Sequence, residues 1–165
     1  MAENIHLLVF RPEEKLAWKF MPELLERIAS FHRLVPEATM DHRALAVSLT
    51  QHFVCSSPLL AGLGFIQEDP ETENLSLVGH IVWQIQESYG EKSLVVLQYA
   101  LDKGVPRETH KEGMAILDSV ARAQECGAIV AACPSEAIAR IHRVYHGFER
   151  HATLMRRPVE VQNGR

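Results

Sequence analysis

The stretch that decides the fold lies near the C-terminus, where Tyr145 to Val159 reads YHGFERHATLMRRPV. Just upstream, Ile138, Ile141 and Tyr145 recur at i, i+3 and i+7, the spacing of one helical face, and predict a core-facing stripe. Gly147 follows, and glycine accepts the positive φ that commonly ends a helix. Phe148, Thr153 and Met155, with the basic pair Arg156-Arg157, then suggest a terminal strand. The chain is therefore expected to close with helix, Gly-Phe and strand.

Working outward, Pro134-Ser135-Glu136 opens that last helix, and Ala128–Cys133 before it reads as a short buried strand. Lys111–Glu125 is a helix with Met114, Leu117 and Ala121 on one face, stopped by Gly127, and Asp102–His110 is a loop. Ser93–Leu101 and Leu75–Glu87 are strands joined by a hairpin turn, the longer one bulged at Gly79. Leu59–Gln67 is a further strand, followed by a turn over Glu68–Asn74. At the other end, Asn4–Phe10 is a first strand, and Pro12 opens a helical stretch that Pro22 breaks or kinks. Leu24, Ile28 and Phe31 continue at helical spacing, and Val35-Pro36 ends that unit. Asp41 caps a helix carrying Leu45, Leu49 and Phe53 at i, i+4 and i+8.

Composition bounds the rest. A chain of 165 residues, 47% hydrophobic and 23% charged, is expected to form one globular domain. That domain spans 1–161, with 162–165 as a loose tail. The net charge of 17 − 21 = −4 argues against generic nucleic-acid binding, which needs a basic surface. The longest apolar runs, such as Ile129–Cys133, are too short to span a bilayer, and the N-terminus shows no signal-peptide pattern. Cys55, Cys126 and Cys133 are odd in number and lack a CxxC pairing, so a reducing, cytoplasmic setting is expected.

The order strand, two helices, three strands, helix, strand, helix, strand resembles the GCN5-related N-acetyltransferase (GNAT) superfamily. The resemblance covers nearly the whole chain in element order. It is best over Leu94–Val159, where Gly127-Ala128, Gly147-Phe148 and the small Ala139 of the last helix fall at family spacing. It implies an α/β (α+β) fold with a mixed, mostly antiparallel sheet flanked by helices.

The resemblance also implies acetyl-coenzyme A as cofactor, held in a V between two splayed central strands. The family's pyrophosphate loop corresponds here to Glu108-Thr109-His110-Lys111-Glu112-Gly113, of which Gly113 alone matches. Lys111 replaces the first glycine, and Glu108 stands where Arg or Gln is usual. The expected cofactor contacts are Leu101, Lys103, Lys111 and Gly113, with pyrophosphate at the helix start. In the last helix, Arg143 occupies the place of a frequent proton-donating tyrosine and Glu136 that of a frequent Asn. Tyr145 and His142 are the catalytic candidates that remain there. The implied function is acetyl-CoA-dependent transfer to an amine on a small molecule or protein. The alternative is a GNAT-fold protein without catalysis, acting as a structural or interaction module, alone as a homo-oligomer or within an assembly such as a phage particle.

Nine histidines invite other chemistry. His142 and His146 have the i, i+4 spacing that zinc can use, but no HExxH or Cys-rich partner accompanies them, and no metal is assigned. His80 and His110 are placed for acid–base work. Trp83, Tyr89 and Tyr99 gather near the central hairpin, as cross-strand packing or as a pocket lining.

Overall fold

Helix nucleation is costly, and at two helix starts this chain offsets the cost with a side-chain cap. Asp41 Oδ1 accepts the amides of Arg43 and Ala44 at 3.1 and 3.0 Å, opening a helix over His42–Val54. The computed structural model describes residues 4–36, 40–88, 90–133 and 135–149, without the side chains of Tyr145 and His146. In chain order the elements are β1 (Asn4–Val9), α1 (Lys15–Ala29), a 3₁₀ turn (Phe31–Arg33) and α2 (His42–Val54). Then come β2 (Leu60–Glu68), β3 (Leu75–Ser88), β4 (Glu91–Leu101), α3 (Arg107–Ala123), β5 (Ala128–Ala131) and α4 (Glu136–His146). The expected final strand, the tail and Tyr89 lie outside the described residues.

The strands form one sheet in the order β1-β2-β3-β4-β5, antiparallel except for the parallel β4–β5 pair. Helices α1 and α2 cover one face with a core that includes Phe20, Leu24, Ile28, Leu49, Ile66 and Val82. Helix α3 covers the other, over Leu63, Phe65, Ile81, Trp83 and Leu94. Burying each such large side chain stabilises the fold by about 1.5–3 kcal/mol.

Three expectations change. Pro22 lies inside α1, which runs unbroken through it. An interior proline costs a helix about 3 kcal/mol, and burial of Phe20, Met21, Leu24 and Ile28 on the same helix outweighs that. Pro12 precedes the helix, its carbonyl accepting the Trp18 indole N–H at 2.8 Å. Helix α3 begins at Arg107 rather than Lys111 and ends at Ala123, before Gly127; Glu125, at φ 57°, carries the turn out of it. In α4 the buried face is that of His142, while Ile141 is 47% exposed. The apolar stripe of Ile138 and Ile141 therefore does not point wholly inward.

The β3 bulge falls where expected. Register slips between Phe65 and Ile66, leaving Val78 as the extra residue beside Gly79. A Cβ on Gly79 would come within 2.2 Å of Leu101 Cδ2 and 2.7 Å of the Ala100 carbonyl oxygen. At Gly62 the nearest atom would be Leu24 Cδ2 at 3.4 Å, an ordinary contact. Gly79→Ala should therefore destabilise by about 2–3 kcal/mol in urea unfolding, whereas Gly62→Ala should stay within about 0.5 kcal/mol of the parent.

Candidate active site

One extra residue organises the centre of the sheet. Trp83 pairs with Val96 and Val82 with Gln98, so Leu97 is a bulge in β4. Before it, Leu94 and Val96 face α3; after it, Tyr99 and Leu101 do. Leu97 packs on the α1–α2 side, and the neighbouring Gln98 reaches the Ile28 carbonyl at the end of α1. Strand β5, at the edge of the described sheet, is short. Pairing of β5 with β4 runs from Ser93/Ala128 to Val96/Ala131. Beyond it, Leu97–Leu101 have β3 on one side and, among the described residues, no strand on the other. Among the described residues, β4 and β5 therefore part beyond Val96 and Ala131, leaving a gap beside Leu97–Leu101.

The chain leaves β4 through a turn that is tied down. Arg27 of α1 donates to both carboxylate oxygens of Asp102, at 3.1 and 2.7 Å, and to the Leu77 carbonyl at 2.6 Å. The Asp102 amide donates to the Val78 carbonyl at 2.8 Å, and Gly104 takes a left-handed φ of 94°. Pro106 then caps α3, and the Thr109 amide already turns back to the Pro106 carbonyl at 3.1 Å. The start of α3 thus follows the end of β4 after a five-residue turn, and its first amides lack helical carbonyl partners, as at any helix start.

Of the expected cofactor contacts, Leu101 is the last residue of β4 and Lys103 is exposed in the following turn. Lys111 is exposed but lies one helical turn inside α3. Gly113 is buried deeper still. A Cβ there would meet Phe65 Cζ at 2.8 Å and Ile81 Cδ1 at 3.3 Å. Close packing of α3 on the sheet accounts for this glycine without any phosphate.

On the α3–α4 side, the Tyr99 hydroxyl and His110 Nδ1 are hydrogen-bonded at 2.7 Å. The His142 ring lies 6.2 Å from that of Tyr99 and 5.2 Å from that of Phe148. Ser135 caps α4 through the Ile138 amide, and Gly147, at φ 69°, closes it. Arg143 is ion-paired to Glu136 two turns earlier on the same helix. The structure thus brings His142 together with Tyr99 and His110; Tyr145 is on the same helix, its side chain outside the described set. Burial pushes the Tyr99 hydroxyl well above its ordinary pKa and lowers both His110 and His142. Both imidazoles are neutral at pH 7.

The opposite face holds a buried polar bridge that the sequence did not reveal, apart from His80. His80 Nε2 donates to Gln98 Oε1 at 3.0 Å, while Gln98 Nε2 reaches the Ile28 carbonyl at 3.3 Å and His42 Nδ1 at 2.9 Å. Burial, reinforced by the Arg27 charge, holds the His80 pKa down at about 4. His42 is also lowered, chiefly by burial. His80 is too weakly basic to deprotonate an ammonium near neutral pH. Among the described residues no three His, Cys, Asp or Glu side chains converge as metal ligands.

Two predictions follow from these contacts. Tyr99→Phe should cost about 0.5–1.5 kcal/mol in chemical unfolding, the net value of one hydrogen bond. His80 is depressed in the folded state, so its contribution is complete above its unfolded pKa of 6.5 and is lost as pH falls toward about 4. Stability measured by urea titration should drop by about 1.4 kcal/mol per pH unit in that window from this group, and the slope should shrink in His80→Gln.

No family model matches the chain, and no curated protein matches it. Solved structures do. An acetyltransferase of Trypanosoma brucei is 14% identical, with a TM-score of 0.62 over 94% of this chain and 100% of that one. AAC(6')-Iy in complex with a bisubstrate analogue, CoA-S-monomethyl-acetylneamine, is 13% identical, with a TM-score of 0.65 over 96% and 99%. The ribosomal-protein-alanine N-acetyltransferase of Brucella melitensis biovar Abortus 2308 is 12% identical, with a TM-score of 0.58 over 96% and 99%. Identities this low speak to architecture alone, and with the early parting of β5 from β4 they give one answer: the chain has the GNAT fold.

Proposed function

We propose that the protein is an acetyl-CoA-dependent N-acetyltransferase acting on an amine. The observation that carries this reading is the gap beyond Val96 and Ala131, with the start of α3 a five-residue turn beyond the end of β4. An extended amide-containing chain fits a bare strand edge, because β4 backbone groups facing the gap need hydrogen-bond partners. A pyrophosphate fits a helix start, where amides and the helix dipole favour negative charge. Acetyl-CoA would supply an activated thioester.

In this reading Leu97–Leu101 align the pantetheine arm through backbone groups, and the first turn of α3 holds the pyrophosphate. Lys103 and Lys111 add positive charge on either side of that turn, offsetting Glu108 and Glu112. The amine approaches from the α1–α2 side, attacks the acetyl carbonyl as a free base and forms the C–N bond as the C–S bond breaks. The proton shed by the attacking nitrogen ends on the departing thiolate: neutral His142 on α4 accepts it and delivers it to sulfur as the imidazolium, or Tyr145 on the same helix gives its own proton to sulfur and is restored by the nitrogen's. AAC(6')-Iy, crystallised with a bisubstrate analogue joining CoA to an acetylneamine, supports an amine as acceptor.

The test is titration calorimetry with acetyl-CoA. Micromolar binding is expected, weakened about tenfold by Lys103→Glu and again by Lys111→Glu, as charge reversal beside a phosphate requires. Absence of binding at millimolar cofactor would refute the acetyltransferase reading and favour a GNAT-fold protein acting without catalysis.

A further inference from the structure

The buried bridge between the two histidines has a property independent of acetyl transfer. Gln98 can sit in only one orientation. Its nitrogen donates to the Ile28 carbonyl, so its oxygen must accept from His80 Nε2. The same nitrogen faces His42 Nδ1, which must therefore be an unprotonated acceptor. The tautomers are thereby fixed: His80 and His42 both carry their proton on Nε2. Their other nitrogens, His80 Nδ1 and His42 Nε2, are buried and have no hydrogen-bond partner among the described residues.

Neither ring can take up a second proton in place. Protonating His42 Nδ1 would set two donors against each other, and flipping Gln98 would oppose it to both His80 and Ile28. Protonating His80 Nδ1 would create a buried cation with no acceptor among the described residues. The charged neighbours do not remove the conflict. Asp41 favours and His32, in the 3₁₀ turn, opposes a charge on His42; Asp102 favours and Arg27 opposes one on His80. The Phe31 ring, from the same 3₁₀ turn, packs edge-on against both imidazoles, at 5.4 and 6.1 Å. The bridge ties together the end of α1, the start of α2, β3 and β4.

We propose that the His80–Gln98–His42 bridge is an acid-released latch that holds the 3₁₀ turn and the first turns of α2 on the sheet. Proton uptake breaks the Gln98–His42 bond and frees that corner while α3 and the sheet remain folded.

Hydrogen exchange of the full chain, corrected for intrinsic rates, tests this between about pH 7.5 and about pH 4.5. Peptides from residues 31–36 and 42–49 are compared with peptides from α3. Protection at the former should hold level down to about pH 6.5 and below it fall about tenfold per pH unit relative to α3, the signature of one proton taken up on opening. His42→Gln, which keeps an acceptor for Gln98 but cannot titrate, should lose that selective fall. Equal loss in α3, no loss at all, or persistence of the selective fall in His42→Gln would each overturn the latch. Should that variant not fold, histidine-ring NMR of the parent decides. A single transition shared by His42 and α2 opening supports the latch, and titration of His42 with α2 protection unchanged overturns it. None of these readouts depends on acetyl-CoA.

Discussion

Everything in the centre of this molecule depends on the extra residue in β4. Strand side chains alternate with a period of two, so one inserted residue reverses which face each later side chain meets. Without Leu97 as a bulge, Gln98 would point at α3 and Tyr99 at the α1–α2 hairpin. With it, Gln98 reaches Ile28, His42 and His80, and Tyr99 reaches His110. The bulge also falls immediately beyond the last pair between β4 and β5. Local departure from the ladder, the reversal of faces and the opening of the gap therefore share one position.

Neighbouring constraints keep this geometry in place. The fork from Arg27 to Asp102 fixes the turn that leads from β4 to α3. Asp102 is 48% exposed, so the pair contributes at most about 1 kcal/mol, and its effect is positional more than energetic. Gly113 lets α3 approach Phe65 and Ile81 closely, which sets the helix start relative to the end of β4. Leu24 and Ile28 bury α1 on the opposite face, so the helix carrying Arg27 cannot drift. Apolar burial supplies the stability, and a small number of polar contacts choose the arrangement.

Much of the architecture was legible before any coordinates. The strand and helix order from β1 to α4, the Asp41 cap, the irregularity at Gly79 and the helix-ending Gly147 all follow from local rules, and all are present. Pro22 was misleading because a local helix penalty competes with burial of four large side chains on the same helix. The start of α3 was misplaced because Arg107-Glu108-Thr109-His110 lacks glycine and can wind into a helical turn, although the family pattern suggests a loop there. Ile141 is exposed, against expectation, because a three-to-four periodicity does not say which face the neighbouring elements will cover. The His42–Gln98–His80 bridge could not be foreseen. It joins residues from three elements, and its register depends on a single-residue slip that leaves no mark in the sequence.

The central claim is that the gap beside the bulge and the start of α3 form one continuous site for an extended, phosphate-bearing ligand. Amide NMR of the nitrogen-15-labelled chain titrated with acetyl-CoA tests it directly. The account predicts shifts concentrated at Leu97–Leu101 and Arg107–Thr109, with α1 and α2 largely unmoved. Shifts confined to the α1–α2 face, or no shifts on either side of the gap, would contradict it.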